Sequence, residues 1–329
     1  MFVYTIKRIL LMIPVILGVI AIVYFFQGIS DVDPALSILG AGSTEEAREE
    51  LRDELGLNDP VVVQFGRYVW NLFTKGDLGL SYKTRQSISG ELLSCFPVTL
   101  KMALISVIFG ALIGIPLGVW AAVKQYSFTD NFLVAFSVFI SSIPQFWFAL
   151  MLISLFSVKL GWLPTSGIAT WKGWILPSVT TIVGAVGANI NVTRSSMLET
   201  IRQEYVRMAR AKGQTEFKII TSHVLRNSLI PILAAVGNGL GMTLGGALIT
   251  ETVFAMPGIG KYAVDGIGAR NYPAVLGSVV VLAIAFSIVN LIVDLSFTFV
   301  DPKLKTTIAK ENRIRLPKKK AAEPQKGEA

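Results

Sequence analysis

The chain has 329 residues, of which 52% are hydrophobic and 16% charged, and its formal net charge is +8. Several apolar runs reach about twenty residues, the length that an α-helix needs to cross the hydrocarbon core of a bilayer, which argues against a soluble fold. The chain has one cysteine, Cys95, and one histidine, His223, so an internal disulfide and a His/Cys metal cluster are excluded. We therefore expect an all-α, polytopic membrane protein without a metal site.

Six segments are predicted to span the membrane, each an apolar run long enough for a helix. They are Ile9–Phe26, Val98–Val123, Phe132–Val158, Trp174–Val192, Ile230–Phe254 and Ala274–Val300. The first run follows Lys7 and Arg8, as in a signal peptide, but it is long and lacks a small-residue cleavage site. We expect it to stay attached as an anchor.

The distribution of Lys and Arg predicts the orientation of these spans. Positive residues near span ends resist translocation, and most of them lie in segments that are internal when both termini are cytoplasmic. The segment from Gln27 to Pro97 is net acidic and long enough to cross regardless of its charge. Membrane topology thus accounts for the basic charge, and we expect lipid rather than nucleic acid as a partner.

The spans divide the chain into four parts. Residues 1–27 hold the N-terminus and the first span, 28–97 form an external region, 98–302 form the membrane core, and 303–329 form a basic tail. The tail has too little apolar content to fold alone, so we expect it to be disordered in the cytoplasm, solvated or in contact with lipid headgroups.

A short helix is expected in the external region. Ser43 and Glu46 are spaced as a capping box, and Gly56 suits the left-handed position beyond a helix end. Its apolar stripe is narrow, so the helix lies on protein, at the membrane surface, or in solvent.

Two glycine repeats indicate close helix packing inside the core. The glycines recur every four residues and form smooth faces that another helix can approach. They are Gly110, Gly114 and Gly118, and Gly237, Gly241 and Gly245. Pro116, Pro144 and Pro177 interrupt the spans, either as ordinary kinks or along a transport path.

A polar insertion at 193–229 separates the fourth and fifth spans on the predicted cytoplasmic side. It is too long for a simple connector. We expect one helix from Gln203 to Lys212 that ends at Gly213, and a second over Glu216–Leu225 capped by Thr215. Ser228 and Pro231 are expected to open the fifth span. This arrangement predicts a rigid handle, held by spans at both ends.

The insertion resembles a known family. Glu204–Gly213 reads EYVRMARAKG and His223–Asn227 reads HVLRN, and both are similar to permease subunits of binding-protein-dependent ABC importers in the dipeptide, oligopeptide and nickel branch. The general motif of these permeases (Glu-Ala-Ala, three residues, Gly, nine residues, Ile, one residue, Leu-Pro) matches only at Ala209, Gly213 and Leu225.

Three other stretches resemble the same branch, namely Asp59–Ser81, Ser142–Phe146 and Glu251–Pro273. The long external region resembles the B-type subunit rather than the C-type. The resemblance implies a type I ABC importer permease fold, located in the inner membrane, with 98–302 as the permease core. It also implies several partners: a second homologous permease, two ATPase subunits and an extracytoplasmic solute-binding protein.

In this family the cytoplasmic helix fits a groove on an ATPase, so the resemblance implies coupling through the loop at 203–227. The implied contact residues are Glu204, Arg207, Ala209, Arg210, Lys212 and Gly213. The alternative is a basic loop that merely obeys the charge rule. The chain lacks a Walker-type Gly-x-x-x-x-Gly-Lys-Ser/Thr, so we expect partners to bind ATP, and this chain to have no cofactor and no catalytic residue.

Polar residues at membrane depth are the candidates for a solute path. They are Asn189, Asn191, Asn238, Asn290 and Asp294. Hydrogen bonding between helices explains the asparagines equally well. The resemblance favours di- and oligopeptides as solutes, although nickel, glutathione and sugar systems share the branch.

Two other classes of protein compete with a permease. A membrane enzyme needs convergent acid, base or metal groups in the spans, and the sequence has none. A secondary transporter or channel not driven by ATP usually has several ionisable residues at midplane and paired broken helices in related halves, and neither is found.

Overall fold

The computed structural model describes residues 2–29, 33–40 and 42–300, so the predicted tail at 303–329 lies outside the described residues. In that part of the chain the fold is all-α, and the only β pairing is a bridge between Leu80 and Ser87. The helices are α1 (Phe2–Ile29), α2 (Pro34–Leu39), α3 (Glu45–Leu55), α4 (Val61–Lys75), α5 (Ile88–Val123), α6 (Phe128–Ser142), α7 (Gln145–Leu152), α8 (Ile175–Ile201), α9 (Glu204–Ala211), α10 (Glu216–Lys218), α11 (Arg226–Val253), α12 (Ile259–Gly268) and α13 (Tyr272–Val300).

In the described part of the chain, five helices are long and apolar enough to cross a membrane, and a bent pair makes a sixth span when it is counted as one. The five lie at Arg8–Phe26, Ile88–Val123, Trp171–Ile201, Glu216–Gly245 and Tyr272–Ser296. The prediction of six spans is confirmed, with one change in the third.

The third span is two helices rather than one, because α6 and the helix that follows it meet at 92°. Ile143 is extended, with φ −76° and ψ 123°, as expected for a residue before proline, whose ring disfavours the helical conformation there. Pro144 then precedes α7.

The first glycine repeat is the contact surface between α5 and α8. A Cβ on Gly110, Gly114 or Gly118 would lie only 2.5 to 2.7 Å from the Cβ of a residue on α8. The three partners on α8 are Ala185, Asn189 and Thr193. The prediction of close packing is confirmed here, and it brings the polar face of α8 against α5.

The second repeat packs against α13 at two of its three glycines. A Cβ on Gly237 would collide with Val293, and one on Gly241 with Phe286. Gly245 has no atom within 4 Å of that position. The expectation of helix contact is therefore correct for the first two glycines and wrong for Gly245.

The external region contains three helices, where we expected one. The expected helix is α3, but its N-cap is Thr44, whose hydroxyl accepts a hydrogen bond from the Ala47 amide at 3.3 Å, rather than Ser43. Ser43 instead accepts a hydrogen bond from the Arg48 side chain. Gly56 ends α3 in the left-handed conformation, as predicted. The unpredicted α4 packs against the end of α1, with the rings of Phe65 and Tyr24 6.0 Å apart.

A buried carboxylate joins α5, α11 and α12. Glu251 is fully buried and accepts hydrogen bonds from the Thr99 hydroxyl at 2.6 Å and the Lys261 amide at 3.0 Å. A Cβ on Gly258 would lie 2.2 Å from the Glu251 carboxyl, and one on Gly260 2.4 Å from the backbone of α11. The glycines of this stretch are therefore required for α12 to reach the carboxylate.

Candidate functional site

The loop between the fourth and fifth spans forms a short helix and a glycine turn. Helix α9 starts at Glu204 and ends at Ala211, close to the predicted bounds. Gly213 has φ +76°, a left-handed conformation that suits glycine, and its amide donates to the Arg210 carbonyl at 2.9 Å. The turn reverses the chain into α10.

The inner face of α9 is buried in the protein. Val206 and Ala209 pack into an apolar cluster with Met197 of α8 and with Ile219 and Val224 of the following segment. Ala209 is only 7% exposed. The small side chain of Ala209 therefore lets α9 lie close to its own protein, and the expected contact of Ala209 with an ATPase stays a prediction.

The outer face of α9 is exposed and carries both charge and apolar area. Glu204, Arg207, Arg210, Lys212 and Gly213, the other predicted contact residues, are all exposed. Sequence reasoning missed three large exposed side chains beside them: Tyr205 (41% exposed), Met208 (61%) and Phe217 (80%). The sequence could have indicated this for Tyr205 and Met208. They are three residues apart and so share one face of α9, which is a different face from that of the buried Val206 and Ala209.

One arginine of this face is held within the loop. Arg210 donates to the Glu216 carboxylate at 2.7 Å, which ties α9 to α10 and raises the pKa of Arg210. Arg207 and Lys212 form no ion pair with any described residue, so their charges are available to an acidic partner.

The segment after the turn continues into the fifth span without a break. Helix α10 passes into a wider π-helical turn, Ile219–Leu225, and then directly into α11. The expectation that Ser228 and Pro231 open a separate helix was wrong. Ser228 is buried, and its hydroxyl lies 2.9 Å from Thr200 Oγ1 and 3.2 Å from the Ser196 carbonyl on α8. The apolar contacts of this segment with α8 favour helix over a new cap.

A cavity of about 510 Å³ opens between α5, α6, α7, α8 and α11. Its polar groups are hydroxyls and amides, and none of its lining residues is charged. They are Ser141, Gln145, Thr180, Thr181, Asn189 and Thr243. We call this space the core cavity.

The structure places one of the five predicted path residues, Asn189, at the core cavity. Asn191 instead accepts a hydrogen bond from the Ser137 hydroxyl at 2.7 Å, and Asn238 is exposed on α11 away from the cavity lining. Asn290 and Asp294 line a separate space of about 200 Å³, where Asp294 lies 2.7 Å from the Arg8 guanidinium.

Gln145 is one of five polar residues of the core cavity that sequence reasoning overlooked. It follows the bend of the third span, and its side-chain amide donates to the Thr250 hydroxyl at 3.0 Å. The signal was present in the sequence, since Gln145 is a polar residue directly after Pro144 in an apolar run.

Family models match nearly the whole chain. The model described as "Binding-protein-dependent transport system inner membrane component" matches residues 114–306, and the model of the N-terminal part of such membrane components matches residues 1–103.

Proteins named as transport system permeases are similar over most of their length. A putative peptide transport system permease protein of Brucella abortus (strain 2308) is 36% identical, covering 91% of this chain and 98% of the relative. The dipeptide transport system permease protein DppB of Alkalihalophilus pseudofirmus is 36% identical, covering 93% and 100%. The glutathione transport system permease protein GsiC of Salmonella paratyphi A is 35% identical, covering 92% and 98%.

Solved structures share the fold at lower identity. A chain of the inward-facing MetNI methionine ABC transporter superposes with a TM-score of 0.55 at 21% identity, covering 64% of this chain and 97% of that one. This likeness shows a shared fold over 64% of the chain.

Proposed function

The chain belongs to the family of inner membrane components of binding-protein-dependent transport systems, and we propose that it forms, with a second homologous permease, the path by which short peptides enter the cell. It is a permease subunit of an ATP-driven importer, a transport protein and not an enzyme, and ATP is hydrolysed by partner subunits. The partners proposed are two ATPases and an extracytoplasmic solute-binding protein.

The peptide assignment rests on one observation. The chain aligns over nearly the whole length of several relatives, and the names of these relatives all refer to short peptides as solutes. Peptide, dipeptide and glutathione systems all carry short peptides, and each relative is 35 or 36% identical over at least 91% of this chain. This coverage supports the same class of solute for this chain.

The core cavity supports this assignment. Its hydroxyls and amides can exchange hydrogen bonds with a peptide backbone, as Gln145 does with the Thr250 hydroxyl. No lining residue is charged, so the cavity does not select a peptide by the charge of its side chains. We propose that the second permease closes its open side.

Coupling to the ATPase is proposed to act through the exposed face of α9. Met208 and Phe217 offer apolar area for docking, and Arg207 and Lys212 offer charge to acidic groups of the ATPase. The helix from α10 to α11 is continuous and reaches the core cavity at Ala235–Thr243. A shift of the loop would therefore move one wall of the cavity.

This mechanism requires the loop and both termini to be cytoplasmic, which the charge distribution favours. A membrane-impermeant maleimide tests it in intact cells, with Arg207→Cys and Lys83→Cys introduced into a Cys95→Ser background. We expect labelling at position 83 and protection at position 207 until the membrane is permeabilised. Labelling of position 207 in intact cells would refute the assignment.

Uptake into proteoliposomes tests the transport function. The complete complex, with both permeases, the ATPases and the solute-binding protein, should accumulate a radiolabelled dipeptide only when ATP is supplied. Gln145→Leu should lower uptake, because it removes a polar group of the core cavity. Asn238→Leu, an amide exposed elsewhere on α11, is the matched control and should have no effect. Equal uptake with and without ATP would overturn the proposal.

A further inference from the structure

A second cavity lies in the external region and shares no lining residue with the core cavity. It has a volume of about 290 Å³ and is enclosed by α3, α4, the loop at 78–85 and the start of α13. We call it the external cavity. Its position beside Tyr24, near the outer end of α1, puts it to one side of the core spans.

The walls of the external cavity are mainly apolar. Most of its branched aliphatic side chains come from α3, from the loop between α3 and α4, and from the loop at 78–85. They are Leu51, Leu55, Leu57, Leu78 and Leu80. The rings of Tyr24 and Tyr68 stand 5.7 Å apart at its α1 side. A volume near 300 Å³ with aliphatic and aromatic walls is at the lower end of the range for small-molecule sites.

Tyr68, one of the residues that line this cavity, carries an unsatisfied polar atom. Its hydroxyl is buried and has no hydrogen-bond partner among the described residues. Burial raises the pKa of Tyr68 and of Tyr82, which also lines the cavity. A buried hydroxyl without a partner is costly, and an acceptor atom of a ligand would satisfy it.

The lining of the external cavity includes two side chains of opposite charge that have no partner among the described residues. Arg67 is paired with Asp59, but neither Glu54 nor Arg85 forms an ion pair or a side-chain hydrogen bond with a described residue. The external cavity therefore offers one negative and one positive group to a ligand.

Hydrogen bonds within the protein hold the loop that carries Arg85 in one conformation without a ligand. Arg85 has φ +55°, and its amide donates to the Ser81 carbonyl at 2.9 Å. The buried Asn271 donates to the Ser81 hydroxyl at 2.8 Å and accepts from the Tyr82 amide at 3.1 Å. Such preorganisation lowers the entropy lost on binding.

We propose that the external cavity binds a short zwitterionic peptide with apolar side chains, outside the translocation path. The Arg85 guanidinium pairs with the terminal carboxylate, and Glu54 pairs with the terminal ammonium group. The Tyr68 hydroxyl donates to a peptide carbonyl, and the leucine walls cover the apolar side chains. The choice of a peptide rests on the proposed function.

A phosphatidylethanolamine headgroup offers the same chemistry, an ammonium group, an anion and apolar chains, and α1 brings the cavity close to the bilayer. The test must therefore separate a soluble peptide from a lipid. Full-length protein is placed in nanodiscs made of phosphatidylcholine alone or with added phosphatidylethanolamine. Binding of radiolabelled Leu-Leu is then measured at equilibrium.

We expect saturable Leu-Leu binding in both kinds of nanodisc. Arg85→Ala and Glu54→Gln should each weaken it about tenfold or more, as expected for loss of a hydrogen bond to a charged group. Tyr68→Phe should weaken it about threefold to tenfold without lowering the unfolding temperature of the free protein, because the lost hydroxyl has no protein partner. The matched controls Lys83→Ala and Glu50→Gln, which are exposed and outside the lining, should bind normally.

Blocked peptides provide a second readout. Acetyl-Leu-Leu lacks the ammonium group, so it should bind more weakly than Leu-Leu to the unmodified protein. It should bind equally to the unmodified protein and to Glu54→Gln. A merely structural effect of the Glu54 substitution would weaken both peptides alike.

Three results would overturn the proposal: absence of saturable binding, loss of binding in Gln145→Leu but not in the external-cavity variants, and displacement of Leu-Leu by phosphatidylethanolamine. The first two leave the importer function intact if the complete complex still takes up dipeptide with ATP. Failure of that uptake, with normal Leu-Leu binding, would instead refute the proposed function alone.

Discussion

Arg194 on α8 forms an ion pair with Asp130 in the first turn of α6. Its guanidinium donates two hydrogen bonds to the carboxylate, from Nε at 2.5 Å and from a terminal nitrogen at 2.8 Å. The Asp130 side chain is 1% exposed, and it also accepts from the Tyr126 amide at 3.0 Å. This ion pair fixes the two spans against each other at one end. Loss of Arg194 leaves the Asp130 carboxylate in a site with little access to water, whereas the Arg194 side chain is 24% exposed.

The first prediction is that Asp130→Ala destabilises the protein by about 1–3 kcal/mol, because it removes the acceptor of the partly buried Arg194 guanidinium and of the Tyr126 amide. The double variant Asp130→Leu, Arg194→Met should recover most of that loss, since it removes both charges. Thermal unfolding in detergent, followed by tryptophan fluorescence, measures both.

Lys261 and Asp265 form a more exposed ion pair on α12 and serve as the control. Asp265→Ala should cost less than about 1 kcal/mol. Equal effects at the two aspartates would show that burial does not determine the contribution of these pairs.

The second prediction concerns two glycines with opposite surroundings. Gly110→Ala should destabilise the protein by about 1–3 kcal/mol, because the new methyl group would lie 2.5 Å from Ala185 Cβ and force α5 and α8 apart. Gly245→Ala should be neutral or stabilising by up to about 1 kcal/mol, since open space surrounds that position and alanine favours helix. The same unfolding assay applies, and a loss at Gly245 as large as that at Gly110 would contradict the packing.

The spans and the glycine contacts were predictable because local patterns determine them. An apolar run must be helical in a bilayer, and glycines four residues apart must share a face. The sequence did not predict which neighbouring helix or cavity each face of a span would meet. Asn189 and Asn191 lie two residues apart on α8, so they point to different sides, and only the positions of α6 and α11 decide which one meets the core cavity.

Helix α4 was missed for a similar reason. It begins with three valines, whose branched side chains do not favour helix on their own. Tertiary contacts supply the stability, since Phe65 and Tyr68 pack against Tyr24 at the end of α1. Tertiary contacts also decide the surroundings of Ala209 in the loop. Its match to a family motif does not tell whether the residue faces a partner or the core of its own chain.

The third prediction is that Gly213→Val uncouples ATP hydrolysis from uptake. No atom lies within 4 Å of a Cβ at this position, so the effect comes from φ +76°, which costs a residue with a side chain about 1–2 kcal/mol. The turn between α9 and α10 would relax to another conformation and change the exposed face of α9.

ATPase activity and dipeptide uptake are measured on the same proteoliposomes, and the ratio of uptake to hydrolysis should fall while the complex still assembles. Gly213→Asn is the control, because asparagine tolerates the left-handed conformation, and it should retain more coupling. Unchanged uptake in Gly213→Val would count against the role of the turn.

The fourth prediction is that acid weakens the contact between α2 and α3. Asp33 accepts from the Arg52 side chain at 2.6 Å and caps α2 by accepting from the Ala35 amide at 2.9 Å. The hydrogen bond from Arg52 holds the pKa of Asp33 below its usual value. Since the folded pKa lies below the unfolded value of about 3.9, the pair stabilises the folded state above that pH, and the contribution is lost as pH falls further.

Hydrogen exchange of α2 and α3, corrected for the intrinsic effect of pH on exchange, should rise between about pH 4 and pH 2. The side chains of Asp33 and Arg52 are 24% and 25% exposed, so we expect a change of only about 1 kcal/mol. Asp33→Asn should exchange faster at neutral pH and show a flatter pH profile, because the titrating group is gone. Glu50→Gln, an exposed substitution on α3, should keep the normal profile, and a flat profile in that control would assign the acid effect to general charge on α3 instead of the Asp33–Arg52 pair.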